Sequence, residues 1–188
     1  KSELIGKEWT KPTPLKGIAE EESLADYNYP FMLTDGATLY YAANDEESLG
    51  GYDIYMTRYN ADEQEFLVPE NIGMPFNSTA NDYLFAIDEF HNLGWFATDR
   101  NMPNGKVCVY TFIPNETRQI YNEAETGMEA LRRYASIYSI RDTWTDKNRV
   151  DKALQNLKSL QMTKKAGNAA GSFEFVLNDK KTCNTEAD

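Results

Sequence analysis

The stretch Leu39-Tyr40-Tyr41-Ala42, followed by Gly50-Gly51-Tyr52-Asp53-Ile54-Tyr55, belongs to a pattern that this chain of 188 residues contains twice. The first copy covers residues 9–55 and the second covers residues 66–110. Corresponding residues recur at similar offsets: Trp9 and Phe66 differ by 57, Tyr41 and Phe96 by 55, and Asp35 and Asp88 by 53. Each copy holds short apolar runs split by Gly, Asn and Asp, which is typical of propeller blades and similar stacked sheets.

Strands are predicted where β-branched and aromatic residues lie between turn residues. The predicted strands are 28–33, 38–43, 52–59 and a fourth that stops at Pro69, then 82–87, 93–98, 106–112 and a weaker 117–121. We expect residues 28–33 to form an inner strand buried on both faces. Asp35-Gly36 predicts a tight hairpin turn. The corresponding turn, residues 88–92, is expected to be two residues longer, because the offset changes from 53 to 55.

From about residue 126 the apolar period changes from 2 to 3.6, which indicates helices. Thr126 and Glu129 fit a capping box. A second helix is predicted to start near Thr145, with Asp146 in its first turn, where a negative charge suits the helix dipole. We expect the two helices to form an antiparallel hairpin that packs on the β part.

The predicted fold is therefore mainly β with a C-terminal α-helical hairpin. Residues 1–121 would form a partial β-propeller of about two four-stranded blades plus an N-terminal strand. Residues 122–162 would form the helical hairpin, and residues 163–188 a linker, one short strand and a disordered tail.

The charge of the chain disfavours some partners. It has 19 Lys and Arg against 30 Asp and Glu, which gives a formal net charge of −11 at pH 7. Nucleic acid binding needs clustered cations that displace counterions from phosphates, so nucleic acid is not an expected partner. No apolar stretch approaches the length of a transmembrane helix, and none is expected. The two cysteines, Cys108 and Cys183, give neither a disulfide framework nor metal-ligand spacing.

Few residues offer catalytic chemistry. His91 is the single histidine, so any Ser-His-Asp or Cys-His site would have to use it, and we interpret it as an exposed turn residue. Asp53 and the acidic loop 45–47 could supply paired carboxylates, but acidic loops are usually solvated. The chain has no Gly-x-Ser-x-Gly elbow and no phosphate loop. We expect no catalytic residue, no metal and no cofactor.

Aromatic residues are the remaining candidates, with 12 Tyr, 9 Phe and 3 Trp. Stacked sheets lie about 10 Å apart and need large side chains between them, so most of these rings are expected to be packing residues. The others could face a groove and stack on sugars or a peptide. The candidate ligand-binding residues are Tyr27, Tyr52, Asp53 and Trp95.

Three motifs together resemble a known repeat: Gly50-Gly51-Tyr52-Asp53-Ile54-Tyr55, residues 69–78 (PENIGMPFNS), and Asp35-Gly36-x-x-Leu39-Tyr40-Tyr41-Ala42. They resemble the WD-repeat-like propeller repeat of TolB and of periplasmic, outer-membrane-associated, OmpA-family proteins of the Bacteroidetes. The resemblance covers roughly residues 1–121. It implies a periplasmic location with outer-membrane association, and a binding role. Two blades are fewer than the 4 to 8 of a typical ring, so the chain would be a fragment of a larger propeller or would complete itself by association.

Three functions are therefore compared. The leading hypothesis is a non-catalytic propeller module that acts as a scaffold or protein-interaction element of the bacterial cell envelope, with envelope proteins as partners. The alternative is a module that binds glycans or peptidoglycan fragments. A divergent hydrolase that uses acidic loop residues is the third reading.

Overall fold

The computed structural model describes residues 2–18, 25–115, 123–144, 146–164, 174–178 and 181–184. Within these residues the fold is mainly β with helices towards the C-terminus, as the sequence predicts. The strands are β1 (Leu4–Ile5), β2 (Glu8–Trp9), β3 (Asp26–Met32), β4 (Thr38–Asn44), β5 (Asp53–Asn60), β6 (Glu65–Phe66), β7 (Glu70–Asn71), β8 (Asp82–Asp88), β9 (Leu93–Thr98), β10 (Cys108–Phe112), β11 (Glu174–Asn178) and β12 (Lys181–Asn184). The helices are α1 (Glu123–Thr126), α2 (Met128–Ser136) and α3 (Lys147–Lys164), with a 3₁₀ helix at Ile140–Thr143. None of the described helices is long and apolar enough to cross a bilayer.

The first sheet is an antiparallel meander of β3, β4 and β5, and both β6 and β7 pair with the outer side of β5. Phe66 lies opposite Tyr59, and Asn71 lies opposite Tyr55. The chain advances five residues from Phe66 to Asn71 but only four from Tyr59 back to Tyr55. The fourth strand therefore contains one extra residue, a bulge around Pro69. A bulge tolerates proline because the extra residue makes no ladder bond. The strand that was predicted to stop at Pro69 therefore resumes after it.

The second sheet consists of β8, β9 and β10. It repeats the first sheet, and equivalent residues differ by 55 in residue number. Tyr41 pairs with Tyr55 in the first sheet, and Phe96 pairs with Tyr110 in the second. The pairing register shifts at the same place in β3 and β8, beside Tyr29 (φ 53°) and Leu84 (φ 56°). A positive φ is uncommon outside glycine. Its recurrence at equivalent positions shows that the two sheets share their backbone plan.

The expected lengthening of the second turn is wrong. Leu33 N donates to Thr38 O in the first sheet, and Asp88 pairs with Leu93 in the second, so four residues lie within each turn. The error came from aligning Asp35 with Asp88. The carboxylate of Asp35 accepts a bond from the N–H of Thr38, and that of Asp88 accepts one from the N–H of His91. The two aspartates cap their turns from positions that are not equivalent.

The two sheets stack with equivalent parts side by side. The N–H of Thr34 donates to Glu89 Oε2 at 2.9 Å, which joins the equivalent turns. The rings of Tyr40 and Phe85 lie 4.5 Å apart between the sheets. One core cluster fills this interface and contains Ile54, Phe85 and Phe96. A second cluster covers the other face of the first sheet and contains Leu39, Tyr41, Ala43, Tyr55 and Phe66.

Strand β3 is not an inner strand buried on both faces, which corrects that prediction. It lies at the edge of the first sheet, and every residue of β3 except Phe31 is exposed. Apolar composition alone cannot distinguish a central strand from an edge strand whose rings lie on the surface. The bulge at Tyr29 and the following Pro30 interrupt the edge, which limits pairing with other chains.

The helices begin differently from the prediction. Gly127, with φ 78°, precedes α2 and supplies no side-chain cap, whereas Thr126 ends the short helix α1. The proposed capping box of Thr126 and Glu129 is therefore not formed, because Thr126 is itself helical. Asp146 precedes α3 and caps it, since its Oδ1 accepts bonds from the N–H groups of Asn148 and Arg149.

The helical segment packs on the β part. Arg100 donates to the carbonyl of Ala135 at the end of α2, and Asn156 in α3 donates to the carbonyl of His91 in the β8–β9 turn, both at 2.9 Å. The apolar side chain of Val150 in α3 is buried. These contacts join the helices to the sheets, whereas the pairing of the two helices as an antiparallel hairpin stays a prediction.

The ends of the chain form hairpins where the sequence predicted single strands. β1 pairs with β2, and β11 pairs with β12. Lys181–Asn184 was predicted to lie in a disordered tail, because this polar segment has no apolar alternation. The predicted strand at 117–121, and the greater part of the predicted linker at 163–171, lie outside the described residues.

Candidate ligand-binding surface

Three tyrosines from separate parts of the chain meet at one surface, which we call the tyrosine surface: Tyr29, Tyr52 and Tyr83. The ring centroids of Tyr29 and Tyr83 are 5.4 Å apart. The Tyr52 ring lies edge-on to both, at 6.2 Å from Tyr29 and 6.5 Å from Tyr83. Tyr29 is 36% exposed, and the other two are half-buried. Such rings offer rigid apolar area together with hydroxyl groups that donate and accept hydrogen bonds.

Local backbone features bring these rings together. Tyr29 lies in the bulge of β3, where its positive φ alters the direction of the strand. Tyr52 follows Gly50-Gly51, and a Cβ at Gly51 would lie 2.0 Å from Asn81 Oδ1. The two glycines are therefore needed for close approach of this loop to residues 79–81. The Gly-Gly motif, which the sequence only marks as a turn, positions Tyr52 beside β8.

Polar groups flank the tyrosine surface. Asn81 Oδ1 accepts from the N–H of Tyr52 at 3.1 Å, and Asn81 Nδ2 donates to Asp99 Oδ2 at 2.7 Å. Partial burial raises the pKa of Tyr83, and the Asp99 carboxylate raises it further. The Tyr83 phenol thus remains protonated at neutral pH and keeps its O–H as a donor. Rings next to a carboxylate can contact both the apolar face and the hydroxyl groups of a sugar.

The four residues predicted to form one ligand site do not all lie together in the structure. Tyr52 belongs to the tyrosine surface. Tyr27 is 38% exposed in the same strand as Tyr29, but its ring contacts Tyr41, with centroids 6.0 Å apart. Trp95 is half-buried in β9, opposite Ala86 and Thr111, and occupies the position equivalent to Tyr40. Of the four predicted residues, Tyr52 is the one whose ring forms part of the tyrosine surface.

Asp53 is fully buried at the start of β5. Its Oδ2 accepts from the N–H of Leu49 at 2.9 Å and from Asn71 Nδ2 at 2.7 Å, whereas its Oδ1 has no hydrogen-bond partner among the described residues. Burial raises the pKa of Asp53 despite these two bonds. In this structure the buried Asp53 carboxylate joins the loop before β5 to Asn71. Its ligand-binding role stays a prediction.

His91 is a turn residue with a structural contact. The ring Nδ1 of His91 lies 2.6 Å from Asp88 Oδ2, and the backbone N–H of His91 donates to Asp88 Oδ1. Bonds from the backbone and side chain of His91 lower the pKa of Asp88. The side chains of both residues are 31% exposed, so the pair is neither buried nor fully solvated. This geometry stabilises the β8–β9 turn, whose His91 carbonyl also receives the bond from α3.

Neither metal-ligand geometry nor similarity to known proteins adds an assignment. Among the described residues no group of three or more His, Cys, Asp and Glu side chains could hold a metal ion. Comparisons with protein-family models, with curated proteins and with solved structures found no match to this chain. The resemblance to the TolB-type repeat therefore stays a prediction based on the sequence motifs.

Sequence reasoning missed Tyr29 and Tyr83 as site residues. Each lies on the first strand of its own sheet, and only the stacking of the two sheets brings them together. The available signal was positional: Asn28-Tyr29 and Tyr83-Leu84 occupy equivalent positions, next to the recurrent bulge.

Proposed function

We propose that this chain is a non-catalytic interaction module, built as part of a β-propeller, that serves as a scaffold in the bacterial cell envelope. The observation that carries the binding role is the tyrosine surface, where rings from both sheets are presented together beside polar groups. Tyr and Trp are enriched in binding surfaces because they supply large contact area at low entropic cost. The periplasmic, outer-membrane-associated location rests on the sequence resemblance alone.

Sheet stacking supports the partial propeller. Propeller blades are antiparallel sheets that repeat radially, so the same face of each blade packs on the opposite face of its neighbour. Here Phe96 of the second sheet packs against Ile54 of the first, whereas Tyr41, the counterpart of Phe96, lies on the other face of the first sheet. Equivalent faces therefore point in the same direction, as they do in a repeating array.

The interaction role is tested by co-purification from envelope extracts of the source cells. The wild-type chain should retain a discrete set of envelope proteins, and the double variant Tyr29→Asn, Tyr83→Ala should lose them. Asn is chosen at position 29 because it tolerates a positive φ. The matched control is Tyr138→Asn, since Tyr138 is 72% exposed and lies outside the tyrosine surface. Retention of the same proteins by the double variant, with unchanged thermal unfolding, would refute the assignment.

Glycan binding is the second candidate, and it uses the same surface. The observation in its favour is the Asp99 carboxylate, which reaches the tyrosine surface through Asn81. Clustered rings with a nearby carboxylate suit a sugar better than they suit an apolar peptide. Calorimetric titration with peptidoglycan fragments should give saturable binding that Tyr52→Ala removes and Tyr138→Asn keeps. The absence of heat at millimolar sugar would eliminate this candidate.

A further inference from the structure

A cavity of about 530 Å³ lies between the two sheets and the helical segment. Its sheet walls include Tyr40, Phe85 and Phe112, and its helical wall includes Ala153 and Leu157. The cavity is partly open to solvent, which gives a ligand access to it. Volumes of roughly 300–1,000 Å³ with mainly hydrophobic walls are typical of small-molecule sites. The tyrosine surface does not contribute to the lining.

The helical wall is held in place by polar bonds along α3. Asp146 caps the first turn, and Asn156 Nδ2 donates to the carbonyl of His91 at 2.9 Å. Arg149 Nη2 donates to the carbonyl of Pro114 at 3.2 Å, just beyond the end of β10. Both bonds tie α3 to one end of the second sheet, where the β8–β9 turn lies beside the end of β10.

The charged residues of the lining are Glu70 on the first sheet and, near the start of α3, Asp146 and Arg149. The Asp146 carboxylate already accepts two backbone N–H groups. The Arg149 guanidinium has neutral acceptors, the Pro114 carbonyl and Asn115 Oδ1 at 3.4 Å. It belongs to neither ion pair found among the described residues. A ligand carboxylate could therefore replace weak neutral bonds of Arg149 with charge-assisted ones.

We propose that this cavity binds a single-chain anionic amphiphile, such as a fatty acid, with its chain between the sheets and α3 and its head group on Arg149. Each methylene group removed from water adds to the binding free energy, so a chain of medium length suffices for measurable affinity. The site lies apart from the tyrosine surface, and its occupancy is independent of the proposed scaffold function.

The test is calorimetric titration of the full chain with dodecanoate and, as a neutral probe of equal length, dodecan-1-ol. Wild-type protein should bind dodecanoate saturably. Ala153→Phe, which places a ring inside the cavity against the bound chain, should weaken both probes at least about tenfold. Arg149→Gln should weaken dodecanoate about tenfold or more, the usual effect of a lost charged hydrogen bond, and leave dodecan-1-ol unchanged. Lys158→Gln, an exposed change on the same helix, should alter neither.

Three outcomes would overturn the proposal. The first is no saturable binding of either probe by the wild-type chain. The second is undiminished binding by a folded Ala153→Phe variant, which would place the probes elsewhere. The third is equal loss of both probes in Arg149→Gln, which would remove the argument for an anionic head group. Because Arg149 is exposed, its variant reports on binding even if the cavity-filling variant does not fold.

Discussion

Gly51 shows how one residue positions the tyrosine surface. We expect Gly51→Ala to lower the free energy of unfolding by about 1–3 kcal/mol, the usual cost of forcing extra atoms into a packed site. The new methyl group would displace Asn81, whose Oδ1 lies 2.0 Å from the required Cβ position and which holds both Tyr52 and Asp99. Urea denaturation measures the loss. In an Asn81→Ala background the same substitution should cost less, and an equal cost in both backgrounds would contradict the account.

The burial of Asp53 leads to a prediction about how the stability of the fold depends on pH. Burial raises its pKa above the ordinary value of 3.8, so the folded chain binds more protons than the unfolded chain between the two pKa values. The contribution of Asp53 to stability is therefore greatest at low pH and falls as pH rises through that window. The amide of the Asp53→Asn variant does not titrate. Relative to wild type, this variant should therefore gain stability as pH rises through the window between the unfolded and folded pKa values of Asp53, as measured by urea denaturation.

Asp35 is the control for Asp53, because its pKa is lowered whereas that of Asp53 is raised. Bonds from the backbone and hydroxyl of Thr38 lower the pKa of Asp35 to about 2. Its contribution is present above the unfolded value and is lost as pH falls through about 2. Asp35→Asn should therefore be less stable than wild type at pH 7, and the deficit should shrink in acid. If both variants changed in the same direction with pH, the assigned causes of the two shifts would be wrong.

At the scale of elements, Arg100 connects α2 to the second sheet. Its guanidinium lies 2.6 Å from Asp82, and this ion pair is almost completely buried. It also donates to the carbonyl groups of Pro75, Phe76 and Ala135. Arg100→Met leaves a buried carboxylate unpaired and should cost about 3–5 kcal/mol. The double variant with Asp82→Asn should recover part of this loss, and denaturation of the four species gives the coupling energy.

Helix docking makes a separate prediction at this scale. Leu93 is 1% exposed and lines the cavity that α3 covers, as does Phe112. Removal of residues 126–162 should expose this apolar face, lower the soluble yield and increase binding of a hydrophobic dye. A truncated chain that stays soluble and binds no more dye than the full chain would show that the helices are an independent appendage.

For the molecule as a whole, the features that could be predicted from the sequence are those that depend on local residue patterns. The strands and the two-fold repeat were predictable because aromatic and β-branched residues such as Tyr40, Tyr41 and Ile54 lie between turn residues. The length of the second turn was not predictable, because Asp35 and Asp88 share a residue type and a capping role at positions that are not equivalent.

Burial and the candidate site depended on contacts between distant segments. Asp53 looked like an accessible carboxylate at a strand start, but the loop before it and Asn71 enclose it. Tyr29 and Tyr83 carried no shared motif, and they meet only because equivalent strands of the two sheets stack. The cavity beside α3 likewise arises from the packing of three distant segments, which no single periodicity encodes.

The proposed contact between the tyrosine surface and envelope proteins can be tested by site-specific photocrosslinking in native envelopes. A photoreactive phenylalanine analogue would replace Tyr83, with the same analogue at Tyr138 as control, followed by mass spectrometry of the adducts. We expect a reproducible set of envelope proteins to be captured from position 83, absent from position 138 and lost when Tyr29→Asn is added. Adducts that are identical from both positions, or none from position 83, would contradict it.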